Sequence, residues 1–422
     1  MEKDVYKSSR ILYILEAALE YFISLLVAGA YLAKLTSSIG LPDSLTAILS
    51  SFVSLGCGFQ MVAIFVAKNK SVKRYVTILH SINQLLFALI YFVPFIKIPK
   101  TAKFVVFAIL LLSGHAINQI VNSPKINWYM SLVDDDKRGK FTANKEIVSL
   151  ISGVVFTTVI GSIIDAFENA GNLNGAFIFC GVGVFGLALL HSLTLILSKE
   201  KPIETKNDHT TKQSIKDLVK DKTLFKVIFV SVLWYIANNA TTPFYGTYQV
   251  KELGFSMLLV SILSAIGAFS RALFSRPFGK FADKYSFARL ISMCFIIQLI
   301  AFITNVFTVP DNGKVFYTIY LILHSIAMAG INSSAINLIY DYVDKNKRTS
   351  ALALKSTICG IVGFLTTTIV SLLVSKIQNS GNVFLGLNVY AQQVVSAIGV
   401  IVMIVAIIYV NTIIKGIKNN RD

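Results

Sequence analysis

Long apolar runs recur from one end of the chain to the other, and short polar segments separate them. Each run has about 18 residues or more, which is enough for a helix to cross a hydrocarbon core about 30 Å thick. We read twelve runs and therefore predict an all-α integral membrane protein with twelve transmembrane helices. Their approximate bounds are 11–33, 44–67, 75–95, 104–126, 141–165, 176–198, 226–249, 257–279, 288–308, 315–340, 350–375 and 388–413.

The longest polar segment lies in the middle of the chain and divides the runs into two sets of six. The predicted organisation is a first six-helix bundle over 1–198, a central cytoplasmic loop over 199–225, and a second six-helix bundle over 226–422. The other loops are short. We therefore expect no sizeable domain outside the membrane.

The two sets carry an internal repeat at a fixed offset of 210 positions. Residues 122–158 and 332–368 are identical at fourteen positions without a gap. In each copy an apolar run leads into a loop Val-Asp-x-x-Lys-Arg, which begins at Val133 or Val343, and an apolar run with Gly and Thr follows. Self-similarity on this scale indicates duplicated halves. Two such halves in a membrane protein are typical of secondary transporters, whose substrate binds between them.

Basic residues lie mainly in alternate loops, although the net charge of +17 could at first suggest a nucleic-acid partner. If both termini are cytoplasmic, only seven of the 39 Lys and Arg fall in outer loops, and three fall within spans. The seven are Lys34, Lys97, Lys100, Lys103, Lys251, Lys314 and Lys376, and the three are Lys125, Arg271 and Arg276. Because cytoplasmic loops are enriched in Lys and Arg, the charge predicts membrane orientation and no nucleic-acid binding.

Composition and motifs disfavour several other classes of protein. Only 14% of the residues are charged, against about 25% in soluble domains. The four cysteines lie in apolar runs without metal-ligand spacing, and we expect reduced packing residues and no metal. A Gly-x-x-x-x-Gly-Lys loop is absent, which disfavours ATP-driven pumping. The sequence has no nucleophile–base pair of an enzyme, and we predict no cofactor.

The loop after the eighth span runs from Gly279 to Arg289 and reads Gly-Lys-Phe-Ala-Asp-Lys-Tyr-Ser-Phe-Ala-Arg. This loop and the two six-helix halves resemble the major facilitator superfamily, whose signature there is Gly-x-x-x-Asp-Arg-x-Gly-Arg. Lys284 and Ser286 depart from the signature. The resemblance implies that family's fold, transport by alternating access, and a cavity lined by spans one, four, seven and ten.

The same resemblance implies that the cytoplasmic loops act in gating, by latching the inner ends of the two halves. In the first-half counterpart, 67–74, Lys68 stands where the second half has Asp283, so we expect an unequal latch. Charges at the inner ends of spans are predicted to shape the conformational equilibrium and not to bind substrate. These gating residues are Asp134, Arg138, Asp283, Arg289, Asp344 and Arg348.

Two acidic residues lie inside the first span, where ionisable groups are costly and usually functional. Glu16 and Glu20 are four residues apart and so share a helix face. Two like charges in a low dielectric favour binding of a proton, and Glu20 falls near the membrane midplane. We therefore interpret Glu20 as a proton carrier. For Glu16, a functional role and a position near the inner interface are both open.

Further polar groups fall at mid-depth in spans four, seven and ten, and Arg271 lies nearer the inner end of span eight. The fourth span has a single polar stripe that ends at Lys125, and it could either line the cavity or join helices. Arg271 could pair with a glutamate, bind an anionic substrate, or extend to the interface. The candidate cavity residues, besides the two glutamates, are His115, Asn118, Asn122, Asn238, Asn239, Tyr245, Arg271, His324 and Asn332.

These features predict a secondary transporter that moves a small organic solute, with coupling to protons through Glu20. A drug or metabolite efflux antiporter of the same fold is the alternative, and a non-transporting membrane sensor is a third possibility. Aromatic, Asn and His residues favour a neutral or weakly charged solute such as a sugar or nucleoside. Richness in Asn, Lys and Ile is typical of bacteria of low GC content. We therefore expect a monomer in the bilayer of the cytoplasmic membrane, with both termini inside.

Overall fold

The computed structural model describes residues 5–62, 71–134, 137–201, 218, 220–343 and 348–417. In the first part of the chain the helices are α1 Lys7–Leu26, α2 Gly29–Ser38, α3 Asp43–Ser50, α4 Phe52–Cys57, α5 Val72–Ile90, α6 Lys100–Ser131, α7 Arg138–Asn169 and α8 Leu173–Leu197. In the second part they are α9 Lys222–Thr247, α10 Met257–Lys284, α11 Phe287–Val306, α12 Gly313–Tyr342, α13 Arg348–Asn379 and α14 Ala391–Thr412.

Short elements complete these helices. Two 3-10 turns, Val93–Phe95 and Ile414–Gly416, follow α5 and α14, and a π-helical turn, Tyr248–Glu252, extends α9. A two-stranded antiparallel hairpin, β1 Val383–Phe384 and β2 Leu387–Asn388, connects α13 to α14.

Among the described residues, ten helices are long and apolar enough to cross a membrane, or eleven if the bent pair α1 and α2 forms one span. Helix α5 is not among the ten, since polar groups such as His80, Asn83 and Gln84 interrupt its apolar sequence. The chain is thus a multi-pass, all-α membrane protein, as predicted. The number of twelve spans stays a prediction.

The first predicted span, 11–33, is broken in the structure. Helix α1 ends at Leu26, α2 begins at Gly29, and the two are bent by 43°. Gly29 has a φ of 53°, a left-handed conformation that glycine adopts without the steric cost of a Cβ. The hydropathy of this run is continuous, so it contains no signal for the break.

The described residues group into two compact units. The first contains Met1–Lys206 and Ser256–Ile262, and the second contains Asn207–Phe255 and Leu263–Asp422. Within the first unit, α1 packs against α7 and α8, and α5 packs against α6 and α8. Within the second, α9 packs against α13 and α14, and α11 packs against α12 and α14. Each unit therefore uses the same pairs of helices in the same chain order.

The sequence repeat coincides with this structural repeat. Helices α7 and α13 begin at Arg138 and Arg348 and end at Asn169 and Asn379, so both ends differ by the same offset. A Cβ added at Gly153 of α7 would meet a side chain of α1, and one added at Gly363 of α13 would meet a side chain of α9. The repeated glycines thus permit equivalent close helix contacts in each unit.

Candidate functional site

Four helices of the first unit bring their ionisable side chains together. Counting about 1.5 Å per residue, Glu16, His80, Lys125 and His191 lie roughly 9–14 Å from the ends of α1, α5, α6 and α8. These ends are on the same side of the unit, because the Lys199 amide donates to Ser9 Oγ and the Val72 amide to Glu200 Oε1. One buried layer therefore contains groups from four helices. We call it the charged cluster, defined as Glu16, Glu20, His80, Lys125 and His191.

The centre of the charged cluster is the Lys125 ammonium, which bridges both glutamates. Lys125 Nζ donates to Glu16 Oε1 at 3.0 Å and to Glu20 Oε2 at 2.5 Å. The Glu16 side chain is 0% exposed and that of Lys125 is 4% exposed. Burial strengthens such ion pairs but removes the hydration of each charge, so the loss of one partner is strongly unfavourable.

Two histidines contact the glutamates from α5 and α8. His191 Nε2 lies 3.0 Å from Glu16 Oε1, and because a carboxylate only accepts hydrogen bonds, this nitrogen donates. His80 lies between the two carboxylates, with Nδ1 3.5 Å from Glu16 Oε1 and Nε2 3.4 Å from Glu20 Oε1. The two imidazole rings meet edge to face at 4.5 Å.

Formal charges in the cluster do not cancel. Two carboxylates and one ammonium give a net charge of −1 when both histidines are neutral. An uncompensated charge in a low-dielectric interior is costly, so the uptake of one proton is favoured electrostatically. The cluster thus carries one negative charge in excess of its ammonium.

An apolar and aromatic layer covers the cluster on the side of the helix ends. Tyr13 stacks on Tyr129 at 4.1 Å, and Trp128 stacks on Tyr129 at 4.4 Å. Each residue of the layer except Leu132, which follows the end of α6, lies about one helical turn from a cluster residue on the same helix. The layer comprises Tyr13, Val76, Trp128, Tyr129, Leu132 and Leu195, all buried. Glu20, one turn further along α1 than Glu16, retains 21% exposure of its side chain, the largest of any cluster residue.

Glu16, His80 and His191 also place potential metal-ligand atoms within 4.8 Å of one another. The Lys125 ammonium, however, already binds Glu16 Oε1, the oxygen that also faces both histidines. A metal ion there would lie beside a buried ammonium and compete with it for the same carboxylate. The donor set thus fits an ion-pair cluster better than a metal site.

The remaining polar stripe of α6 lies away from the cluster. His115 is ten residues from Lys125, or about 15 Å along the helix, and its ring packs against Phe87 at 5.0 Å. Asn118 and Asn122 are half-buried between them. The structure therefore separates His115 from the glutamates.

The second unit contains a neutral polar network. Tyr245 is buried, and its hydroxyl lies 2.8 Å from Ser396 Oγ, which also accepts from Asn305 Nδ2 at 3.2 Å. His324 Nδ1 lies 2.9 Å from Gln298 Oε1. Two of the candidate cavity residues, Tyr245 and His324, thus use their polar atoms within the unit.

Other candidates of the second unit differ in their surroundings. Asn239 is buried; its side-chain amide nitrogen donates to Tyr235 O of the same helix, and its backbone carbonyl accepts from Thr367 Oγ1 of α13. Asn238 is half-buried, whereas Arg271 and Asn332 are exposed. The Thr367 hydroxyl therefore joins α13 to the backbone of α9 at Asn239.

The repeated loop residues hydrogen-bond to helix ends. Arg138 Nε donates to Met130 O at 3.1 Å, and Arg348 Nη2 donates to Tyr340 O at 2.8 Å, eight residues upstream in both cases. Carbonyls in the last turn of a helix lack an intrahelical donor. The two arginines supply that donor to α6 and α12.

The other predicted gating residues are exposed or outside the described residues. Asp134 pairs with Lys137 at 2.8 Å, and the guanidinium of Arg289 lies over the Tyr285 ring at 5.8 Å. Asp283 is exposed. Asp344 and Lys68 lie outside the described residues, so the unequal latch stays a prediction.

The comparison with family models decides the class of this chain. The model of the Major Facilitator Superfamily matches residues 11–367. The chain belongs to the Major Facilitator Superfamily. This family consists of transporters, which agrees with the predicted class and not with an enzyme.

Solved transporters share this superfamily fold. They include the nucleoside transporter NupG, with a TM-score of 0.72, 17% identity, and coverage of 98% of this chain and 100% of that one. A D-xylose-proton symporter has a TM-score of 0.72 and 14% identity, with coverage of 94% of this chain and 96% of that one. The xylose transporter XylE from E. coli has a TM-score of 0.69 and 12% identity, with coverage of 98% of this chain and 96% of that one. Identities this low establish the fold only. A comparison with curated protein sequences gives no match.

Sequence reasoning found both glutamates of the cluster but missed His80, His191 and the role of Lys125. Glu16 is 175 positions from His191 and 109 from Lys125, so no local spacing relates them. A signal was available, since His80 and His191 are ionisable residues inside apolar runs at nearly the same distance from the helix ends. Matching depth among spans of one half would have grouped them.

Proposed function

We propose that this superfamily member is a secondary transporter that couples the movement of a small neutral polar solute to protons through the charged cluster. The observation that carries the proposal is the buried Lys125 ammonium between Glu16 and Glu20, with a net formal charge of −1. One bound proton neutralises the cluster, so we propose that one proton is coupled to each solute molecule.

Glu20 is the residue at which the proton enters and leaves. It contacts solvent, whereas the aromatic layer and the other helices enclose Glu16. Protonation of the cluster removes one of the two carboxylate charges that hold Lys125. The ammonium then has a single ionic partner, and the packing of α1 against α6 is altered. A bound proton shifts the balance between two conformations only if it binds one of them with a more favourable free energy than the other.

The proposed solute is a sugar or a nucleoside. The similar structures include a nucleoside transporter and a D-xylose-proton symporter. In this chain, the second unit offers Tyr, Asn, Gln and His groups, which suit hydroxyl and amide recognition. We also propose a monomer in the cytoplasmic membrane, with both termini cytoplasmic and the predicted domain bounds 1–198, 199–225 and 226–422.

The test begins with a thermal-shift screen of sugars and nucleosides on the purified chain, followed by uptake into proteoliposomes. With an imposed pH gradient, the parent chain should accumulate the selected solute above equilibrium. Glu20→Gln should abolish this accumulation but retain solute exchange, because glutamine resembles the protonated acid. The pH dependence of transport should flatten as well.

Glu168→Gln is the matched control. Glu168 pairs with Lys34, and its side chain is 41% exposed, so we expect accumulation to remain. If Glu20→Gln accumulates solute like the parent chain, coupling through Glu20 is wrong. If neither the parent nor the variant responds to a pH gradient, proton coupling itself is wrong.

A further inference from the structure

The proposed coupling uses Lys125 and the charges of both glutamates, but it gives the two buried histidines no function and gives Glu16 none beyond its charge. Ionisable groups inside a membrane segment are costly and usually functional. Glu16, His80 and His191 all have 0% exposed side chains. Two carboxylates and one ammonium would form the ion pairs without imidazoles. The histidines therefore need an explanation beyond the neutralisation of charge.

Distances arrange these groups in a chain from the solvent-contacting side to the enclosed side. Glu20 Oε1 lies 3.4 Å from His80 Nε2, and His80 Nδ1 lies 3.5 Å from Glu16 Oε1. An imidazole can accept a proton at one nitrogen while it releases a proton from the other. His80 is thus placed with a different nitrogen toward each carboxylate.

The surroundings of His80 define its starting tautomer. The Gln84 amide nitrogen, a donor, lies 3.2 Å from His80 Nε2, so this nitrogen accepts. Neutral His80 then has its proton on Nδ1, the atom that faces Glu16. Among the described residues, Gln84 Oε1 is buried without a hydrogen-bond partner. Rotation of the amide would offer this oxygen to a proton on Nε2.

The two carboxylates differ in their preference for a proton. A protonated, neutral carboxyl group loses little hydration free energy when it is buried. A charged carboxylate loses much more, unless it stays partly exposed and keeps some of its hydration. Glu16 is 0% exposed and Glu20 is 21% exposed. With the proton on Glu16, the remaining negative charge lies on the partly exposed Glu20, and Glu20 still pairs with Lys125 at 2.5 Å.

The other charged and titratable groups near the chain are few among the described residues. Lys125 and Tyr129 face it from α6, and His191 holds Glu16 from α8. From α7, Lys145 lies over the Tyr13 ring of α1 at 5.5 Å. Neither tyrosine changes charge near neutral pH. The histidines and glutamates are therefore the groups that exchange the proton.

We propose that His80 relays the coupling proton from Glu20 to Glu16, which is its resting place, and that His191 positions Glu16 to receive it. This inference rests on the proposed proton coupling. The protonated Glu20 carboxyl gives its proton to His80 Nε2, and the imidazolium gives its Nδ1 proton to Glu16. One proton is thereby added to Glu16, the Glu20 carboxylate is restored, and His80 is left with its proton on Nε2. When Glu16 releases its proton to His80 Nδ1, the Nε2 proton passes back to Glu20, and His80 regains its first tautomer.

Infrared difference spectroscopy of the purified full chain, between high and low pH, tests this without a known solute. The readout is the C=O stretch of a protonated carboxyl. We expect one such band in the parent, its loss in Glu16→Gln, and its retention in Glu20→Gln at equilibrium. After a pH jump, His80→Gln should delay the band by tenfold or more. His191→Gln should shift its frequency, since Glu16 loses an imidazole hydrogen bond.

His115→Gln is the matched control, since it removes a histidine about 15 Å from Lys125 on α6. It should leave the rate of band formation as in the parent, whatever it does to transport. If a variant fails to fold, the parent chain alone supplies a second measurement in heavy water. The band of an enclosed Glu16 should exchange slowly, whereas a Glu20 carboxyl should exchange at once.

The outcomes separate the relay from the proposed function. Loss of the band in Glu20→Gln, but not in Glu16→Gln, would place the proton on Glu20 and overturn the relay while coupling stands. Parent-like kinetics in His80→Gln would also overturn it. An indicator dye could show proton uptake by the parent while the infrared spectrum shows no carboxyl band. The proton would then be bound by a histidine, and the assignment to Glu16 would be wrong. Absence of any proton uptake would overturn the coupling as well.

Discussion

In the first unit, α1, α5, α6 and α8 bury two carboxylates, an ammonium and two imidazoles in one layer. In the second unit, the corresponding helices α9, α11, α12 and α14 bury tyrosine, amide, hydroxyl and imidazole groups. Lys125 has Ala335 as its counterpart at the offset of the repeat. The helix packing is nevertheless the same in both units. The shared repeat thus determines packing, whereas the position of Lys125, the centre of the charged cluster, is alanine in the other half.

This difference supports a division of roles under the proposed function. A charged cluster changes its electrostatic energy when a proton binds, whereas a neutral network can hydrogen-bond a solute without such a response. The first unit is then the part that responds to protons. The second unit is the part whose groups suit recognition.

The largest expected effect is that of Lys125→Met, which leaves two buried carboxylates without their ammonium. Breaking a buried ion pair by removal of one partner costs roughly 3–5 kcal/mol. We expect a large fall in the melting temperature of the purified chain. The fall should be largely reversed when Glu16→Gln and Glu20→Gln are added, because the cluster is then neutral.

Arg271→Met is the control in the second unit. Arg271 is exposed, and surface substitutions usually change stability by about 0.5 kcal/mol or less. If Lys125→Met were as stable as Arg271→Met, the two units would not differ in the way proposed.

The sequence predicts much of the fold, since hydropathy and the 210-residue repeat depend on local patterns. It also places Glu16 and Glu20 on one face of α1. Depth along the spans is a signal that groups His80 and His191 with the glutamates, but the bridge by Lys125 depends on how α1, α5, α6 and α8 pack, which no local pattern specifies. Asn239 shows the converse. A polar group in an apolar run indicates a cavity or a helix contact equally well, and here the contact with Thr367 uses the Asn239 backbone carbonyl, which no residue pattern marks.

A smaller effect, equal in both units, is expected for the repeated glycines. Gly153→Ala would bring a Cβ against the Tyr21 ring, and Gly363→Ala would bring one against the Asn239 amide. Overpacking of this kind costs typically about 1–3 kcal/mol. Thermal unfolding should show similar losses for both variants, since the repeat determines packing in each half.

Gly183→Ala is the matched control for these two substitutions. Gly183 lies within α8, and a Cβ there would meet nothing within 4 Å. Alanine favours helix over glycine by about 1 kcal/mol, so this variant should be at least as stable as the parent. A loss in only one of the two repeated positions would show that the helix contacts are not equivalent.

The smallest expected effect is that of the repeated arginines. Arg138→Ala and Arg348→Ala each remove a donor to a carbonyl eight residues upstream, and a single hydrogen bond contributes about 0.5–1.5 kcal/mol. We expect similar, modest losses of stability in the two variants. Solute affinity should hold within a few-fold while the transport rate falls, because the arginines fix the ends of α6 and α12. Lys376→Ala is the control, since Lys376 is exposed and lies in a predicted outer loop, apart from the gating residues. Binding by titration calorimetry and uptake into proteoliposomes measure the two quantities separately.

Loss of affinity at an unchanged rate in either variant would instead make that arginine part of the solute site. The loops would then differ between the halves as the buried chemistry does.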